Sequence, residues 1–105
     1  MVSDDKLSPL PKRLKAARLA VELSQKRLGI AAGIDEFSAG PRINQYEKTT
    51  HTPTYALTVT FAKILKVPVH YFYIQDDDIA ELVLLLDQLP ADKKQKVIGL
   101  VEILL

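Results

Sequence analysis

The stretch LSQKRLGIAAGIDEFSAGPRINQYEK, Leu23 to Lys48, decides how this chain is read. Ser24 suits the cap of a helix running from Gln25 to Ala32, because its hydroxyl can accept from a free N–H of the first turn. Leu28, Ala31 and Ala32 recur at helical spacing and are expected to face inward. Gly29 and Ala32 are small, which lets another helix approach closely. Gly33 stands where a helix ends in a left-handed residue, a conformation glycine adopts without a Cβ penalty. Ile34 is expected to anchor the turn in the core. Asp35 to Gly40 read as a loop, since proline suits the first turn of a helix and Pro41 follows at once. A second helix is expected near residues 39–48. Ile43 and Tyr46 point inward at i, i+3, and Arg42 and Gln45 share another face at the same spacing.

Upstream, Pro9 and Pro11 punctuate the chain, and residues 1–8 read as a flexible polar arm. From Lys12 to Leu23, the aliphatics Leu14, Ala17 and Val21 recur at helical spacing, with Lys12, Arg13, Lys15 and Arg18 filling the rest. Downstream, Thr49 to Pro53 form a polar loop. Thr54 caps a helix reaching Leu65 or Lys66, with Tyr55, Val59, Ala62 and Leu65 as its buried stripe. Leu57 to Phe61 alternates and is β-branched, which favours strand locally, but tertiary context is expected to override it. Pro68 starts a short helix through Tyr73. Asp76, Asp77 and Asp78 suit the positive end of a helix to Leu89, Pro90 breaks it, and Asp92 to Leu105 form another. There is no repeat and no glycine-turn hairpin signal. The expected chain is all-α, with an arm at 1–8, a five-helix domain at 9–74 and a helical pair at 75–105.

At 105 residues, 48% of them apolar, the chain can build one small core. It has no cysteine, which excludes disulfides and thiolate chemistry. His51 and His70 lack ligand-like neighbours, so no metal is expected. No nucleophile–base pairing or phosphate-cradling glycine loop is present, so neither an enzyme nor a cofactor is expected. The polar, acidic start Met1 to Asp5 is unlike a secretory signal. No apolar run approaches the roughly 20 residues needed to span a bilayer. A cytoplasmic protein without a membrane partner is therefore expected. The net charge of +1 hides an asymmetry. Residues 1–70 carry eleven Lys/Arg against six Asp/Glu, and residues 71–105 three against seven. A basic front and an acidic back suggest that only the front meets a polyanion.

Leu23-Ser24-Gln25, Leu28, Gly33-Ile34, Ile43, Tyr46-Glu47, Pro53, Ala62, Leu65-Lys66-Val67-Pro68 and Tyr71-Phe72 together carry a resemblance. In their order, about residues 11–73 resemble the Cro/repressor-type, lambda-repressor-like helix-turn-helix family. The resemblance implies a transcriptional regulator, a repressor from a bacterium or phage, that reads the major groove of double-stranded DNA. Four features depart from the family's pattern. The turn between the two helices looks about four residues longer than usual. Gly29 stands where alanine is customary, at a propensity cost of roughly 1 kcal/mol. Thr49 and Lys66 stand where glycine is.

Arginine can grip guanine bidentately and glutamine adenine, so Arg42 and Gln45 are the first candidates for base edges, with Asn44 and Ser38 behind them. The resemblance singles out Gln45, two residues beyond Ile43. Gln25, at the start of its helix, and Lys26, Arg27 and Lys48 are candidates for phosphate contacts. His51 is expected to be merely exposed, and Tyr71, Phe72 and Tyr73 to belong to the core rather than to a base-stacking platform. The resemblance also implies an ion pair, Arg18 with Glu47, that ties the first helix to the recognition helix.

The two C-terminal helices carry apolar bands wider than the stripe of roughly 100° that one surface helix needs. Leu82, Val83, Leu86, Val97, Val101 and Leu104 are the expected homodimer interface. Two alternatives use the same parts. One is the antitoxin of a toxin–antitoxin pair, with its protein partner on the C-terminal helices. The other is a protein-interaction module that keeps the fold without reading DNA.

Overall fold

The computed structural model describes residues 7–49 and 51–105. The expected arm at 1–8 lies almost wholly outside the described residues. The rest is helical: α1 (Leu10–Ala20), α2 (Gln25–Ala31), α3 (Glu36–Glu47), α4 (Tyr55–Leu65), a 3-10 turn (Val69–Tyr73), α5 (Asp77–Asp87) and α6 (Ala91–Leu104). Among the described residues there is no strand. The β-branched run Leu57 to Phe61 is helix, because Phe61 and Leu65 bury completely from that conformation.

One core joins α1, α2, α3, α4 and the 3-10 turn around Leu14, Leu28, Ile43, Phe61, Leu65 and Phe72. Two edge-to-face aromatic pairs, Tyr46 with Phe61 and Tyr71 with Phe72, add directional contacts inside it. Four expectations about burial are corrected. On α4 the inward stripe is Thr58, Phe61, Ala62 and Leu65, whereas Tyr55 is 64% exposed. The buried Thr58 satisfies its hydroxyl by donating to the Thr54 carbonyl. Val21, which caps the end of α1, and Ala31 on α2 are exposed, as is Tyr73 beyond the buried Tyr71-Phe72 pair.

Helices α1, α2 and α4 end the same way. The N–H groups of Glu22 and Leu23 donate to the carbonyls of Leu19 and Arg18. Those of Gly33 and Ile34 donate to Ile30 and Gly29. Those of Lys66 and Val67 both reach Ala62. This arrangement requires a left-handed residue after the helix. Gly33 supplies it at φ 91°, but Glu22 and Lys66 are forced to 59°. Thr49, after α3, sits at 63°. The two positions where the family resemblance leads one to look for glycine, Thr49 and Lys66, are thus left-handed in this chain too, and here they are occupied by side chains that resist it.

The C-terminal helices join this core through Ala80 of α5, which belongs to it, and through a clamp built on Arg13. Arg13, read from sequence as a surface charge, is buried. Its Nε and Nη2 donate to the Ile74 carbonyl at 3.1 and 2.8 Å, and Nη2 also reaches the Gln75 carbonyl. Its Nη1 lies 2.8 Å from Asp77 Oδ1, and its plane stacks over Tyr71. Lys12 approaches the same Asp77 oxygen at 3.1 Å. Beyond the clamp, α5 buries only Ala80 and α6 buries nothing. Among the described residues, no helix is long and apolar enough to cross a membrane.

Candidate nucleic-acid interface

Helix α3 does not begin where its proline suggests. Asp35 caps it, its carboxylate accepting from the N–H groups of Phe37 and Ser38 at 3.0 and 3.1 Å. Hydrogen bonding from Ser38, foremost, holds the Asp35 carboxyl below the ordinary carboxylate range. Glu36 adds a second carboxylate beside the positive helix end. The segment Asp35 to Gly40, expected to be a loop, is therefore the cap and first turn of the helix. The four residues that seemed to lengthen the turn lengthen the helix instead. Pro41 sits six residues in, where its missing N–H leaves the Phe37 carbonyl without its helical partner. Both residues are exposed, so water can serve that carbonyl.

Ala39, Ile43 and Tyr46 form the buried face of α3. Helical geometry sets Phe37, Pro41, Asn44, Gln45 and Lys48 on the opposite side. The flank facing α2 is held by side chains. Arg18 and Glu47 form a bidentate pair, Nε to Oε2 at 2.7 Å and Nη2 to Oε1 at 3.0 Å, with both side chains less than 10% exposed. This bonding raises the Arg18 pKa above its ordinary value. Arg18 Nη1 also donates to the Leu23 carbonyl, fixing the turn before α2. Gln25 uses its amide nitrogen to donate to Glu47 Oε1 at 3.1 Å and to Asn44 Oδ1 at 3.2 Å.

In that network the side chain of Gln25, an expected phosphate contact, is engaged within the protein. The Gln25 amide already donates twice within the protein, so its side chain has no spare proton for a phosphate. It holds α2 to α3 instead. Asn44 is half-buried and its amide oxygen accepts from Gln25. Ser38 is half-buried beside the cap. Gln45 is half-buried on the outer side. Arg42 is exposed and lies back along the helix, Nη2 donating to the Tyr46 hydroxyl at 2.9 Å with its carbon 5.9 Å from the ring centre. Lys26, Arg27 and Lys48 are exposed around this face. Lys26 lies 3.6 Å from Glu36, an exposed pair of little energetic weight. His51 is exposed in the following loop.

Sequence reading missed one element of this site. Phe37, 92% exposed on the first turn of α3, was assigned to a loop. Its signal was Asp35, a good cap placed four residues before the buried Ala39. Gly29 was expected, as a small residue, to let another helix approach closely, and α3 does so at Ala39.

On the other side of the molecule, α5 and α6 leave large apolar side chains in solvent. Leu82 and Val101 are about half exposed and Leu104 is 84% exposed, whereas Val83, Leu86 and Val97 are half-buried. Leu86, Val97, Ile98 and Val101 line an open groove of about 350 Å³. Among the described residues, no group of three or more His, Cys, Asp or Glu could hold a metal ion.

No protein-family model matches the chain, and no curated protein does. Among solved structures it is similar to the crystal structure of the transcriptional regulator BswR, with 41% sequence identity and a TM-score of 0.84. The alignment covers 88% of this chain and 91% of that one.

Proposed function

The chain belongs to the family of the transcriptional regulator BswR, and from that premise we propose that it is itself a sequence-specific DNA-binding regulator, a repressor that acts without catalysis or cofactor. The observation that carries the reading is the build of α3. One side is locked to α1 and α2 by Arg18, Glu47 and Gln25. The other offers Arg42, Asn44 and Gln45 to a partner. A helix with an exposed polar face, held rigidly by a second helix, suits insertion into the major groove of double-stranded DNA.

In this reading Gln45 and Arg42 contact base edges, with Asn44 and Ser38 beside them. Lys26, Arg27 and Lys48 contact phosphates and set the register without reading sequence. Two copies joined through α5 and α6 would bring their recognition helices to neighbouring turns of the duplex, about 34 Å apart. The exposed apolar faces of α5 and α6, with Leu82, Val101 and Leu104 in solvent, support a homodimer.

Selection of binding sites from a pool of random duplexes tests this directly. A pseudo-palindromic motif is expected, with an affinity that falls by roughly 0.9 log unit per log unit of salt for each phosphate neutralised. Gln45→Ala should cost about 1–3 kcal/mol at one base position. No enriched motif, or a Gln45→Ala variant with unchanged affinity and base preference, would overturn the reading.

A further inference from the structure

Resting on the DNA-reading role of α3, we infer that Phe37 is a specificity residue which reads the C5-methyl group of a thymine in the major groove. Apart from the chain-terminal Leu105, it is the most exposed large apolar side chain described, at 92%. It is not on a loose loop, because its own N–H is bound by the Asp35 carboxylate. On its own helix it stands among polar residues and one proline. Its neighbours on the outer side of α3 are Pro41, Asn44, Gln45 and Lys48.

A single fixed aromatic ring on a polar face calls for a small apolar feature amid polar ones. The major groove has one such feature, the thymine methyl. Recognition helices address base edges with their N-terminal residues, and Phe37 is the second residue of α3. Eight residues separate it from Gln45, about 12 Å along the axis. At about 3.4 Å per base pair, the thymine lies roughly three to four pairs from the base read by Gln45.

The test uses duplexes that the wild-type protein enriches from the random pool, remade with each thymine in turn replaced by deoxyuridine, which lacks the methyl. One thymine per half-site should be sensitive. Its loss should weaken wild-type binding about three- to fivefold, as expected for one buried methyl. Phe37→Ala should bind the thymine duplex more weakly and be indifferent to the replacement, while Phe37→Leu keeps part of the sensitivity. Its unfolding temperature should match that of the wild type, since the ring supports no core. Wild-type insensitivity at every thymine, or equal sensitivity in Phe37→Ala, overturns the inference and leaves the DNA-reading role intact. Failure to enrich any duplex would overturn both.

Discussion

A Cβ on Gly29 would lie 2.7 Å from the Cβ of Ala39 and 2.8 Å from its Cα and carbonyl oxygen. Helices α2 and α3 cross with their backbones nearly touching, and this crossing sets the angle at which the outer face of α3 is presented. Alanine, the better helix former, cannot be accommodated here without displacing backbone. Gly29→Ala is expected to destabilise the fold by about 1–3 kcal/mol, as overpacking does, and to weaken DNA binding further than the stability loss alone explains. Urea denaturation and binding to a selected duplex measure the two effects. A stabilised Gly29→Ala variant would show that α2 and α3 can separate freely.

The Arg18–Glu47 pair is nearly buried, so removing one partner strands the other. Arg18→Met or Glu47→Leu alone should each cost about 3–5 kcal/mol, and the double variant considerably less than the two combined. A double-mutant cycle in urea reads the coupling. Near-additive losses would mean that the two groups hold α1 and α3 independently.

Glu22 and Lys66 complete helix C-termini in a conformation that suits glycine. A left-handed side-chain residue costs about 1–2 kcal/mol, while glycine loosens the unfolded chain by about 0.4–1 kcal/mol. Glu22→Gly and Lys66→Gly are each expected to stabilise the protein by about 0.5–1 kcal/mol in thermal unfolding. A loss of stability in both would indicate that these side chains make contacts outweighing the strain.

Hydrogen bonds from Lys12 and then Arg13 hold the Asp77 carboxyl below its ordinary pKa. A carboxyl depressed in the folded state contributes fully above its unfolded pKa and loses that contribution as pH falls through the folded value. Attachment of α5 to α1 should therefore be indifferent to pH from 8 to 5 and loosen below about pH 4. Amide exchange along α5 follows it. Asp77→Asn should remove this acid-dependent part; an unchanged acid response would assign it to another carboxylate.

Much of the fold was legible in local chemistry. The Ser24, Thr54 and Asp76 caps, the left-handed Gly33 and the helical spacing of Leu14, Leu28, Ile43 and Leu65 each follow from nearest-neighbour rules. Where α3 begins was not legible, because two local signals disagreed. Pro41 argued for a helix start and Asp35, as a cap, for one five residues earlier. In the fold the earlier start holds, and Ala39 is buried against Gly29. The first turn it adds carries Phe37.

The sequence by itself determined that the chain is helical, where most helices stop, and which polar side chains share a face with Gln45, because these depend on residues within a turn of one another. Only the tertiary structure decided that Arg13 is a buried clamp, that the Gln25 amide is spent inside the protein, and that Gly29 cannot be alanine. Each of those outcomes turns on a group brought within about 3 Å from a distant part of the chain, and no periodicity records such a meeting.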